Sequence, residues 1–133
     1  MIKRIAHIGI AVKKTEDSAK IFSQIFNTEN PHTEIVEEQK AKISFYPVGE
    51  SAFELIESTA VDSSITKFIE KKGEGIHHIC LEVENLEQEI ARLKKLGFQF
   101  VNEEPKLGGD GYRIAFLHPK STNGVLIELC EKQ

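Results

Sequence analysis

The chain has 133 residues, 40% of them hydrophobic and 29% charged. That is the make-up of an ordinary soluble globular protein, with one domain or two small halves sharing a core. The formal net charge of −4 is spread without a basic block, which argues against a nucleic-acid surface, and the strand-length apolar runs exclude a spanning helix.

Residues 5–12, Ile-Ala-His-Ile-Gly-Ile-Ala-Val, read as a strand. Ala6, Ile8, Ile10 and Val12 form an apolar row suited to packing under a helix, and His7 lies on the opposite face. Met1–Ile5 runs straight into this strand without an apolar leader region, so a cytoplasmic location is expected. Thr15 is placed to cap a helix over about 16–26, with Ala19, Phe22, Ile25 and Phe26 as its apolar stripe. Asn30-Pro31 ends that segment. Strands are expected at 33–38, 42–48 and 52–58, the last two joined by the turn at Gly49. A short helical connection over 62–72 carries Ile65, Phe68 and Ile69, and Gly73-Glu74-Gly75 breaks it.

The plan then repeats. Residues 76–83, Ile-His-His-Ile-Cys-Leu-Glu-Val, superimpose on 5–12 with His78 on His7. Asn85 caps a helix with Gln88 three residues on, and Leu86, Ile90, Leu93 and Leu96 form its stripe up to Gly97. Strands are expected at 98–101, 112–118 and 125–130, with a glycine-rich loop at 105–111. The chain therefore reads as a single α+β domain built from two βαβββ repeats, about 4–59 and 75–131.

The repeats align four polar residues. His7 and Glu54 sit on the first and fourth strands of one copy, His78 and Glu128 on those of the other. Glu128 is the strongest clue, because Val125-Leu126-Ile127-Glu128-Leu129-Cys130 is apolar on both faces apart from that carboxylate. A buried carboxylate needs pairing, protonation or a metal. Two imidazoles and two carboxylates suit a divalent ion such as Zn²⁺, Co²⁺, Mn²⁺ or Ni²⁺, and a Lewis-acid role toward substrate oxygens. Taken singly, each residue reads more readily as a hydrogen-bonded core histidine or an edge glutamate than as a ligand; the joint pattern favours the metal. His77 has the opposite parity and reads as a supporting residue. Cys80 and Cys130 are far apart, outside any metal or redox motif, and read as reduced buried thiols.

With these residues in place, the chain resembles the vicinal oxygen chelate superfamily, and within it the methylmalonyl-CoA epimerases. The resemblance rests on His7-Ile8-Gly9-Ile10-Ala11-Val12, on Phe53-Glu54-Leu55-Ile56-Glu57, on Gly73-Glu74-Gly75-Ile76-His77-His78-Ile79, and on Arg113–Ser121 leading to Gly124–Leu129. It implies a curved eight-stranded half-barrel sheet, a homodimer, an acyl-CoA substrate and a metal held by His7, Glu54, His78 and Glu128. The implied reaction interconverts (R)- and (S)-methylmalonyl-CoA through a metal-stabilised enolate. Glu128 is the expected acid/base group. Some epimerases carry a second glutamate on the third strand, where this chain has Ile43. Lys120, in the turn His118-Pro119-Lys120-Ser121, is placed to meet a CoA phosphate, although a turn lysine taken alone is solvated. The alternatives are a glyoxalase I-type lyase acting on a glutathione hemithioacetal, against which the same turn favours the epimerase, and a binding protein without enzymatic activity, against which all four ligand positions are kept.

Overall fold

The structure, a computed structural model, describes residues 1–133, the side chain of Asp110 excepted. In chain order it comprises β1 (Ile2–Val12), α1 (Thr15–Phe26), β2 (His32–Val36), β3 (Ala41–Val48), β4 (Ser51–Ser58), α2 (Ser64–Lys72), β5 (Gly75–Val83), α3 (Leu86–Lys95), β6 (Lys106–Leu107), β7 (Tyr112–Leu117) and β8 (Ile127–Lys132). This is βαβββ twice over, with α2 as the connection. The strands form one eight-stranded sheet in the order β2-β3-β4-β1-β5-β8-β7-β6, as the α+β expectation requires. Among the described residues, no helix is long and apolar enough to cross a membrane.

The chain divides into two compact units, Ile8–His77 and Met1–His7 together with His78–Gln133. The divisions fall inside β1 and β5, immediately after one site histidine and immediately before the other.

In the unit Ile8–His77, β2, β3 and β4 pair antiparallel, with Ile43 opposite Ile56 and Phe45 opposite Glu54. Alternation sends the two faces to different partners. Val12, Tyr46 and Leu55 take Phe22 and Phe26 of α1, and the Phe26 and Tyr46 rings stack at 5.2 Å. Ala11, Val36, Ala41, Ile43 and Ile56 take Ile65 of α2, with Phe68 and Ile69 beside it. Two expectations for α1 are corrected. Lys14, not Thr15, holds the N-cap position and makes no side-chain cap. Thr15 is the first helical residue, and its N–H and hydroxyl donate to Glu57 Oε1 at 2.7 and 3.0 Å. A carboxylate from β4 thus satisfies the orphan donor and meets the positive helix end. Ile25 is 68% exposed, because it lies about 100° round the helix from Phe26, outside the packed row.

In the other unit, β5 and β8 pair parallel and β8, β7 and β6 antiparallel. Helix α3 starts at the Asn85 cap, whose side chain accepts from the Gln88 N–H at 3.0 Å. Its Leu86 and Ile90 bury against Val83, Ala115 and Leu129. Leu96 does not join them. It is the C-cap and 65% exposed, and the chain leaves through Gly97 at φ +94°. The expected strand at 98–101 is also corrected. Only Phe100 bridges to Leu117, with Val101 N–H and Gln99 C=O bonded to the chain at Phe116 and His118. The chain bends over 101–104 and returns to the β7 edge as β6, inside the expected loop, where Lys106 and Leu107 pair with Ile114 and Arg113. The edge strand is therefore split, which limits the unpaired edge it presents.

The Glu57–Thr15 contact yields the first prediction. Glu57→Ala should destabilise the fold by about 1–2 kcal/mol in urea denaturation, the range for a lost helix cap or a charge-assisted bond. An unchanged midpoint would show that the carboxylate does not hold the helix start.

Candidate functional site

Strand alternation and register build the site within the unit of Met1–His7 and His78–Gln133. On β8, Ile127 and Leu129 face α3, so Glu128 and Cys130 face the other way. On β5, Leu81 and Val83 face α3, so His78 and Cys80 share the Glu128 side. Register then sets Glu128 between Cys80 on β5 and Phe116 on β7.

Three of the expected residues converge here. His7 Nε2 and His78 Nε2 are 2.9 Å apart. Glu128 Oε1 lies 2.9 Å from His7 Nε2 and 3.4 Å from His78 Nε2. The imidazole rings meet edge to face at 5.1 Å, and Phe116 packs edge-on against His78 at 5.6 Å. Glu128 is 4% exposed and His78 5%. Oε1 is buried, and among the described residues it has no hydrogen-bond partner. Burial alone would push the Glu128 carboxyl up; the adjacent His78 and His7 imidazoles outweigh burial and hold it below the usual carboxylate range.

These distances pass a metal-fit test. Two donors each about 2.1 Å from an ion are about 3.0 Å apart at a right angle and about 3.4 Å apart at a tetrahedral angle. The three separations of 2.9, 2.9 and 3.4 Å match such edges. An orphaned carboxylate oxygen at one vertex is what an ion would satisfy.

Glu54 belongs to the other unit. It is 7% exposed on β4, opposite Phe45. His77 packs edge-on against Phe68 of α2 at 5.0 Å, a supporting position. Lys120 is an exposed residue in the 3₁₀ turn Pro119–Ser121, where its amide donates to His118 Nδ1 at 3.1 Å. Ile43 is buried among Ala11, Val36, Ala41 and Ile56, so that position supplies no carboxylate.

Cys80 is the free, buried thiol expected, packed with Ala6, Ile114 and Cys130, and it has a second feature. Its Sγ lies within 4.8 Å of the donor atoms of His7 and Glu128, completing a His/Cys/Glu group able to hold a metal. Burial pushes its thiol well above the ordinary value, and Cys130 and Glu128 add to the shift. Further along the same face of β5, buried Glu82 accepts from Arg4, whose guanidinium also donates to the Tyr112 hydroxyl at 3.3 Å. Burial, reinforced by Glu82, lifts the Tyr112 phenol. The sequence does carry one trace of this arrangement: His78, Cys80 and Glu82 alternate on one strand face.

The chain is similar throughout its length to known proteins. Human mitochondrial methylmalonyl-CoA epimerase is 35% identical over 127 residues, covering 95% of this chain and 72% of that one. A solved variant of Streptomyces coelicolor methylmalonyl-CoA epimerase, in complex with 2-nitronate-propionyl-CoA, superimposes with a TM-score of 0.93 at 34% identity, covering 99% of this chain and 96% of that one. A methylmalonyl-CoA epimerase in complex with methylmalonyl-CoA and NH₄⁺ matches with the same TM-score of 0.93, identity of 34% and coverage of 99% and 96%. The family model of the Glyoxalase/Bleomycin resistance protein/Dioxygenase superfamily matches residues 6–116. With the duplicated βαβββ plan and this sheet order, the chain belongs to that superfamily.

Proposed function

We propose that this chain is an epimerase that interconverts the (R) and (S) forms of methylmalonyl-CoA through an enolate. The observation that carries the reading is the convergence of His7, His78 and the orphaned, buried Glu128 Oε1, in a chain 34% identical to an epimerase solved with methylmalonyl-CoA. His7, His78 and Glu128 would hold a divalent ion. Glu54, the counterpart of Glu128 in the first repeat, is proposed as a fourth ligand on the repeat argument alone. The ion, when bound, supplies Lewis-acid charge to offset the negative charge that develops on the substrate oxygens.

The substrate proton to be moved sits on a carbon between a thioester and a carboxylate, which makes it acidic enough for a carboxylate base once the enolate charge is offset. Glu128 is the candidate for that step because it is a buried carboxylate placed among the converging histidines. With Ile43 in the apolar cluster, Glu128 is the one carboxylate proposed for proton transfer. Phe116, half-buried beside His78, narrows access of water to the enolate. Lys120, exposed on its turn, is proposed to meet a phosphate of CoA. Assembly as a homodimer and a cytoplasmic location belong to the same reading.

Chelator-treated protein should lose epimerase activity and regain it with Co²⁺ or Mn²⁺, as followed by conversion of (S)- to (R)-methylmalonyl-CoA; full activity after exhaustive metal removal would overturn the metal role. Glu128→Gln keeps the shape of the side chain but not its basicity. Exchange of the substrate α-proton with D₂O, read by NMR, should fall by about 10²–10⁴-fold, and wild-type exchange would remove Glu128 from proton transfer. An assay offering methylmalonyl-CoA and the methylglyoxal–glutathione hemithioacetal separately should show turnover of the first. Turnover of the second alone would make the chain a glyoxalase I-type lyase.

A further inference from the structure

The pair His7 and Glu128 is shared by two sets of donors. One adds His78 Nε2, giving two nitrogens and an oxygen. The other adds Cys80 Sγ, giving nitrogen, oxygen and sulfur, all within 4.8 Å of one another. Cys80 is fully buried, and neighbouring-strand register sets it directly opposite Glu128. The two sets differ in softness. Imidazole and carboxylate accept Mn²⁺, Co²⁺ or Zn²⁺, whereas a thiolate selects Zn²⁺ and heavier thiophilic ions.

We propose that this pair also takes a thiophilic divalent ion, Zn²⁺ or Cd²⁺, with Cys80 Sγ as its third donor, so that the site has a soft-metal mode beside the harder one. The inference rests on His7 and Glu128 being metal ligands, as in the function proposed above. Two observations point to it independently of the relatives. Cys80 lies in a group of donors already close enough to share one ion. Glu128 is common to both sets, and its Oε1 is buried and, among the described residues, without a hydrogen-bond partner. On binding, the thiol proton leaves to solvent and the sulfur lone pair fills the new bond, so the step needs no oxidant or reductant. Sulfur is the larger donor and forms the longer bond, at about 2.3 Å for zinc, so a set that includes Cys80 can be wider than the all-nitrogen-and-oxygen set.

The test uses the full chain loaded with Zn²⁺ or with Mn²⁺. Bound metal is counted after equilibrium dialysis, and X-ray absorption at the zinc edge reads the donors. Wild-type protein should show a sulfur shell at about 2.3 Å. Cys80→Ser should lose that shell, and its preference for Zn²⁺ over Mn²⁺ should fall by about tenfold or more. Cys130→Ala should keep the shell, and Mn²⁺ uptake by each variant reports that its site has folded. Zinc bound by the wild type with no sulfur shell would overturn the inference and leave the metal reading standing. A sulfur shell that survives in Cys80→Ser, or disappears in Cys130→Ala, would overturn it as well. Failure of the wild type to bind either ion would overturn the metal reading itself, and the soft-metal mode with it.

Discussion

A carboxylate buried to 4% exposure has to be neutralised, and the candidate site is organised around that need. Stripping an ion of water costs several kcal/mol in a protein interior. One opposite charge at the 2.9 Å separation of Glu128 Oε1 and His7 Nε2 returns about 6 kcal/mol at an effective dielectric near 20. One positive charge is therefore enough to hold Glu128 ionised. Either a proton on an imidazole or a metal ion meets the electrostatic need, but they differ in directionality. Oε1 is buried and, among the described residues, has no hydrogen-bond partner. An ion among the three donors satisfies all of them without needing an N–H to point anywhere, and so the geometry favours a metal over a proton.

The strands position this cluster with little help from loops. His78 and Cys80 share a face because they are two residues apart on β5, and parallel pairing with β8 brings Glu128 level with Cys80. The opposite faces of the same strands are apolar and covered by α3, so a one-residue slip would put Glu128 under the helix and Leu129 in the site. The apolar packing of Val83, Ala115 and Leu129 on Leu86 and Ile90 therefore also sets where the donors point. Next to the cluster the face is sealed by Ala6, Ile114 and Cys130, and beyond these by the Arg4–Glu82 pair.

Much of this was legible in the residues. The matched octets at 5–12 and 76–83 carry the duplication, and parity within the second separates His78 from His77, which packs on Phe68 instead. Glu128 stands out because it interrupts an apolar run on both sides. Cys80 was missed for a physical reason. In an apolar strand a thiol looks like any small hydrophobe, and its nearness to Glu128 depends on strand register, which composition and period do not encode. The split edge strand was missed because Phe98–Val101 has strand composition but only partial pairing, while Lys106 and Leu107 lie among turn-forming residues. Thr15 has the character of an N-cap, yet Glu57, distant in sequence, supplies a charged acceptor that a hydroxyl cannot match.

Ile43 carries a consequence for the chemistry. It packs against Ala41 and Ile56, so the first repeat contributes no second carboxylate from that strand position. Epimerisation must remove a proton from one face of a carbon and return one to the other. With a single buried carboxylate proposed for proton transfer, the intermediate has to persist long enough for a proton to arrive from elsewhere. The weight of catalysis then falls on stabilising the enolate rather than on matching two acids and bases. That is the task for which a low-dielectric pocket holding a full positive charge is suited, because an unscreened charge acts far more strongly there than in water. On the proposed reading, a chain without a carboxylate at position 43 depends all the more on keeping His7, His78 and Glu128 dry and convergent, and the burial and register of β5 and β8 favour this.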